Sequence, residues 1–307
     1  MSLARPDADR RAAELHAGFA AVIARLRRIT HTRRIGHTGT LDPMATGLLP
    51  VLFGTATKAC DLMPESGKRY RAAFQLGFTS DTEDIWGALS PTGAAFPEKE
   101  AVEAALVPFR GEILQLPPMY SALSVGGKRL YELAREGKTV ERTPRPVTIS
   151  RLDLLAYDPV SGRGELDVAC SKGTYIRTLC ADLGASLGTG AVMAALRRTE
   201  ACGFTLGDAL TLEEAAARME AGTLEASLLP AEQLFTGYPA LKLNEIQTRM
   251  FLNGVRLDLG RIPGALTFSA DTPWRIYDFQ GQFLGLGKGF PAEKELRLLK
   301  FFIERNG

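Results

Sequence analysis

Two residues far apart in the chain invite a chemical reading. Asp42 is the only acid in "RRIGHTGTLDPMATGLLPVLFGTATK" (Arg33–Lys58), a stretch so rich in glycine, proline and threonine that turns and close backbone approach are expected rather than a helix or strand. A lone carboxylate there has four readings: nucleophile, general base, metal ligand, or a turn former with Pro43. Metal binding is the weakest, because no second acid or histidine at ligand spacing accompanies it. A nucleophilic carboxylate must be ionised, which an ordinary pKa of about 3.9 permits, and burial then calls for a cationic partner. Arg177 in "CSKGTYIRTLCADLG" offers a planar guanidinium suited to bidentate pairing. The competing reading of Arg177 is an exposed helix charge, and spacing alone does not separate the two.

The rest of the composition bounds the partner. At 307 residues, with 45% apolar and 23% charged side chains, the chain fits two domains, or one large domain with an appendage. Net charge is only +2, so a polyanion surface has to come from clustering. "RLRRITHTRR" gathers Arg25, Arg27, Arg28, Arg33 and Arg34 directly before the Asp42 loop, and a second basic run follows from Lys128 to Arg151. Each alone reads equally as a solvated face; their nearness to the loop favours a nucleic-acid partner. Four cysteines without a CxxC pair and three histidines argue against structural zinc, and no metal or cofactor is expected. No long apolar run or leader appears, so a soluble, cytoplasmic protein is the expectation.

The elements that must position these residues follow from periodicity. "GFAAVIARLRRIT" reads as a helix with Phe19, Val22, Ile23, Leu26 and Ile29 on one face. "KRYRAAFQLGF" alternates Tyr70, Ala72, Phe74 and Leu76 as a half-buried strand. A helix is predicted from Glu98 to about Phe109, and residues 117–146 read as an inserted flap with a short amphipathic helix. Two strands, "RPVTISRLDLLAYD" and "GRGELDVACS", precede a helix carrying Ile176, Leu179, Cys180, Leu183 and Leu187 on one face, after which "AVMAALRRTEACGF" continues into a strand. "TLEEAAARMEAG" has a threonine cap and early acids, as a surface helix should. From about residue 240 the turn-rich spacing predicts a small β-rich module.

Four ordered blocks, "GHTGTLDPMATGLLPVLFGTATK", "KRYRAAFQLGFTSDTEDIWG", "PPMYSALSVGGKRLYELAREG" and "CSKGTYIRTLCADLG", closely resemble the bacterial TruB family of tRNA pseudouridine synthases. The resemblance runs from about Gly18 to the C-terminus and weakens after residue 205. It implies an α/β fold of α+β type: a mixed, largely antiparallel sheet with flanking helices in a catalytic domain at 1–238. A PUA-like RNA-binding module is implied at 239–307, and a thumb-like insertion at 117–146. It also implies isomerisation of uridine in the T-loop of tRNA (position 55), on a base flipped out of its stack, by a monomer needing neither cofactor nor protein partner.

The same resemblance assigns roles. Asp42 is implied to be the nucleophile, Arg177 its partner and Tyr175 a member of the same motif. Tyr70 packs on the flipped base and is a possible proton acceptor; without the family, Tyr70 reads as a core aromatic. Leu196 lines the uracil pocket, and His37 fills the space the base vacates. Arg33, Arg34, Lys58, Lys128, Arg129, Lys172 and Arg197 are the expected RNA contacts, which makes binding salt-sensitive. One departure stands out. Family members open with a hydrophobic strand and a Lys-Pro-x-Gly motif, whereas "MSLARPDADRRAAELHAGFAAV" puts Leu15 and His16 at the Lys and Pro places. The alternative reading is therefore a tRNA-binding and refolding protein with impaired catalysis.

Overall fold

The computed structural model describes residues 18–64, 66–265, 269 and 271–303; the atypical N-terminal segment before Gly18 lies outside them. Helix α1 (Gly18–Thr30) follows the predicted stripe, burying Ile23 and Leu26 while Arg25, Arg27 and Arg28 stay exposed. The glycine-rich stretch after it is more regular than its composition predicts. It holds three short strands, β1 (Ile35–His37), β2 (Thr46–Gly47) and β3 (Val51–Phe53). β1 and β3 pair antiparallel, with Ile35 opposite Phe53. Segments this short have little strand preference of their own, so pairing partners supply it.

The next strand, β4 (Lys68–Leu76), buries Tyr70, Ala72, Phe74 and Leu76 at the expected period of two. A small hairpin, β5 (Phe78–Ser80) and β6 (Leu89–Pro91), leads to α2 (Lys99–Leu106), which stops two residues before Pro108. After β7 (Gly111–Gln115), the predicted insertion contains a tight hairpin of β8 (Ser124–Val125) and β9 (Lys128–Arg129), then the short helix α3 (Leu130–Arg135). The long strands β10 (Arg145–Asp158) and β11 (Arg163–Cys170) precede α4 (Ile176–Ser186), β12 (Ala191–Ala201) and β13 (Phe204–Thr205). Thr211 caps α5 (Leu212–Glu220) through a full capping box, accepting from the Glu214 amide and donating to its carboxylate.

The C-terminal part holds β14 (Ala240–Lys242), α6 (Glu245–Leu252), β15 (Leu257–Asp258), β16 (Trp274–Tyr277), β17 (Phe283–Phe290) and β18 (Glu295–Phe301). Helix α6 is not anticipated by the turn-rich reading of this region; Asn244 caps it and Phe251 anchors it in the module's core.

Two compact units result. One includes Leu41–Leu49 and Glu65–Ala209; the other includes Phe19–Thr40, Pro50–Pro64 and Leu210–Gly307. This packing division is drawn differently from the functional division expected at 238/239, because α1, β1 and β3 build a small apolar cluster with Leu212 of α5. In the first unit one sheet runs β13-β12-β4-β11-β10-β7, antiparallel throughout, and β2 adds to β12 as a parallel partner. Phe74, Leu76, Leu152, Leu166, Leu179 and Leu183 form its core. α4 approaches β12 closely: a Cβ on Gly184 would stand 2.1 Å from the Ala191 amide nitrogen. In the second unit a five-stranded sheet, β14-β16-β17-β18-β15, packs around Trp274, Phe251, Ile276 and Leu296. Among the described residues no helix is long and apolar enough to cross a membrane.

Candidate active site

Three pieces of the first unit converge on one carboxylate. The loop Leu41–Leu49 carries Asp42 and ends in β2, which docks beside β12 with Thr46 opposite Arg197 and Gly47 opposite Arg198. Gly47 has φ +95, and a Cβ there would lie 2.2 Å from the Arg198 carbonyl oxygen. Only glycine accommodates both the left-handed backbone and the close approach. Leu41, Met44 and Ala45 pack onto the core that contains Tyr70 and Leu196, so the loop is fixed on both sides of Asp42.

Helix α4 supplies the partner. Arg177, in its first turn, is buried, and its fork grips Asp42 with Nε donating to Oδ2 and Nη2 to Oδ1, both at 3.0 Å. Its other donors go to the carbonyls of Thr82 (Nη1, 2.9 Å) and Tyr120 (Nη2, 2.9 Å). The exposed-charge reading of Arg177 is thereby excluded. Every contact fixes the fork's plane, and the fork fixes both carboxylate oxygens. Asp42 itself keeps 30% of its side chain accessible, enough to be reached from outside.

Tyr70 and Tyr175 stand within electrostatic reach of Asp42. Burial pushes the Tyr70 phenol up to about 12, with the Arg198 charge pulling the other way. The phenol is therefore neutral near pH 7, which suits it to packing against a base better than to accepting a proton. Tyr175 precedes α4, and the buried Gln115 amide clamps its backbone, donating to its carbonyl and accepting from its N–H. Its phenol is also raised, chiefly by burial. Leu196 is buried on β12 opposite Ala72 of β4.

Sequence reasoning missed further residues here. Asp84 is buried, 3.9 Å from the Arg177 Nε, and accepts from the Thr82 hydroxyl and the Trp86 amide. Burial holds its carboxyl above the ordinary range, as it does for Glu83, whose carboxylate accepts from Thr178 Oγ1 at 2.6 Å. Asp84 sits in a polar turn among other acids, where spacing carries no signal. Arg198 is another: it lies two residues after Leu196 on β12, and the strand period turns both side chains inward.

The expected RNA contacts divide between the units. In the first, Lys128, Arg129, Lys172 and Arg197 are exposed, with Lys128 paired to Glu136 at 3.4 Å. In the second, Arg33 and Arg34 are exposed, and Arg34 Nε donates to Thr57 Oγ1. Lys58 is half-buried and its ammonium donates to the Phe301 carbonyl at 3.3 Å. His37 is half-buried at the end of β1, and its carbonyl accepts from Cys60 Sγ.

Comparison with known proteins gives a consistent picture. The model of the TruB family pseudouridylate synthase N-terminal domain matches residues 27–176, and that of the tRNA pseudouridylate synthase B C-terminal domain matches residues 177–236. A tRNA pseudouridine synthase B from Pseudomonas fluorescens is 44% identical over 87% of this chain and 86% of its own length. One from Levilactobacillus brevis is 40% identical over 91% and 93%, respectively. Among solved structures, a Cbf5–Nop10–Gar1 complex matches with TM-score 0.71 at 23% identity, covering 94% of this chain and 82% of that one. An H/ACA RNP bound to a substrate RNA containing 2′-deoxyuridine matches with TM-score 0.70 at 21% identity, with the same coverage. These two likenesses bear on the fold.

Proposed function

The chain belongs to the TruB family of pseudouridylate synthases, and from that premise we propose that it isomerises uridine to pseudouridine in the T-loop of tRNA, with Asp42 as the nucleophile. The observation that carries the assignment is the two-point grip of Arg177 on Asp42, each contact 3.0 Å. A carboxylate held by both oxygens is pre-oriented, so little reorganisation is needed when it attacks the target nucleotide.

The reaction exchanges one bond for another. The bond from N1 of uracil to C1′ of ribose breaks, the base turns, and a bond from C5 to C1′ forms. The C5 proton departs and N1 ends protonated, so no electron donor or acceptor is consumed. The base has to leave its stack first. Tyr70 offers a neutral aromatic face for it, Leu196 an apolar wall, and Tyr175 a second ring beside Asp42. In this reading His37 occupies the vacated place in the RNA loop.

RNA grip is assigned to the exposed cations Arg33, Arg34, Lys128, Arg129, Lys172 and Arg197, together with Lys58 and the β14–β18 sheet of a PUA-like module at 239–307. The hairpin and helix at 124–135 form a thumb on the T-arm. With its own thumb, the protein works as a monomer without a protein partner, in the cytoplasm where tRNA matures.

The deciding experiment measures tritium release from a T-arm hairpin carrying 5-tritiated uridine, using wild type and Asp42→Asn. Release by wild type alone is expected. If neither protein releases tritium while both bind the hairpin, the chain binds tRNA without turning it over, and the proposal fails.

A further inference from the structure

Arg198 is the most unusual cation in the first unit. Its side chain is 0% exposed, and among the described residues its one acceptor at hydrogen-bond distance is the Leu48 carbonyl, 2.7 Å from Nε, while the Tyr70 phenol feels its charge. Nη1 and Nη2 are buried without one, and no carboxylate stands within 4.0 Å among the described residues. Lys68 adds a second nearby cation: burial first, and then the Arg198 charge, hold its ammonium below the ordinary lysine value.

A buried charge without a counter-ion is destabilising, and an apolar side chain of similar volume often packs as well or better. Fold stability therefore does not account for a guanidinium here. Its position suggests what does. The Arg198 backbone carbonyl accepts from the Leu48 amide at 2.8 Å while its side chain donates to the Leu48 carbonyl, so one residue grips both polar groups of Leu48. On the neighbouring strand its direct partner is Tyr70. Arg198 thus ties the end of the Asp42 loop to the strand that presents the buried tyrosine.

We propose that Arg198 is a positioning residue for the isomerisation: its buried guanidinium locks the Asp42 loop through Leu48 onto β12, in register with Tyr70, and sets the distance between carboxylate and phenol. The inference rests on the proposed reaction. Its chemistry is directional, because a planar guanidinium reaches the Leu48 carbonyl through Nε in one fixed orientation; a lysine ammonium has no such fork.

The test compares wild type, Arg198→Met and Arg198→Ala in single-turnover tritium release, hairpin binding and thermal melting. Arg198→Met should melt no lower than wild type and bind the hairpin within about twofold. Its turnover rate should fall at least about a hundredfold, as expected when a reacting group is misplaced by about 1 Å. Arg198→Ala should regain at least about tenfold of its lost rate when millimolar guanidinium is added. An Arg198→Met rate within about threefold of wild type overturns the proposal, as does a fall in binding that matches the fall in rate. Failure of both variants to fold makes Arg198 a structural residue and overturns it as well. A wild type that releases no tritium brings down the reaction itself, a result distinct from all of these.

Discussion

Replacing Gly47 by alanine is the most direct probe of how the Asp42 loop is held. The added Cβ would lie 2.2 Å from the Arg198 carbonyl oxygen, 2.9 Å from its nitrogen and 3.0 Å from its carbonyl carbon. All three are backbone atoms in a central strand that pairs with β4 along most of its length, so β12 does not yield. The loop must move instead, by more than an ångström to reach ordinary contact. Two costs follow. A non-glycine residue at φ +95 is strained by about 1–2 kcal/mol. The Leu48 N–H bond to the crowded carbonyl contributes about 1 kcal/mol more when it is lost. A total of about 2–3 kcal/mol should lower the melting temperature by roughly 3–5 °C for a chain of this size. Because Asp42 lies five residues before Gly47 in the same loop, a displacement of about 1 Å should cost about a hundredfold in turnover. Tritium release under single-turnover conditions and a melting curve read the two effects separately. A Gly47→Ala protein with wild-type rate and wild-type melting temperature would refute the claim that β2 docking positions the nucleophile.

Three further outcomes are expected. Arg177→Met leaves the Thr82 and Tyr120 carbonyls without their donors and Asp42 without its fork; we expect a stability loss of about 3 kcal/mol and turnover reduced at least about a hundredfold, and near-normal turnover in a stopped assay would contradict this. With the Tyr70 phenol pushed up to about 12 by burial, it stays protonated at working pH, so the pH–rate profiles of wild type and Tyr70→Phe should share one shape from about pH 7 to 9. A limb present only in wild type would show Tyr70 acting as the base. Asp167 accepts from Arg69 and forms an ion pair with Arg151, and the Arg69 contact chiefly holds its carboxyl below the ordinary value. The stability it adds is present above the unfolded value of about 3.9 and is lost as pH falls through the lower folded value. Asp167→Asn should therefore be less stable at neutral pH yet lose less on acidification below about pH 4, measured by urea melts across that range.

Much of this protein is legible in its sequence because the relevant physics is local. The period of two in β4, the apolar stripes of α1 and α4, and the Thr211 capping box follow from neighbouring residues, and the structure contains each. The unusual composition around Asp42 likewise marked a loop held close to other backbone, and Gly47 shows why a Cβ is not tolerated there. Other features depend on partners that no local window contains. The Arg177 and Asp42 side chains meet across 135 residues, and whether Arg177 is a buried fork or a solvated charge depends on that meeting. β2 is two residues long and exists because β12 offers an edge to it; helix α6 persists because Phe251 finds the core of the C-terminal module. Arg197 and Arg198 make the contrast sharpest. The sequence places two arginines side by side, but a strand turns successive side chains to opposite faces. One therefore stands in solvent, while the other is sealed beneath the candidate site. Type and spacing determined which residues could do chemistry; the register of one strand against its neighbours decided which of them are positioned to do it.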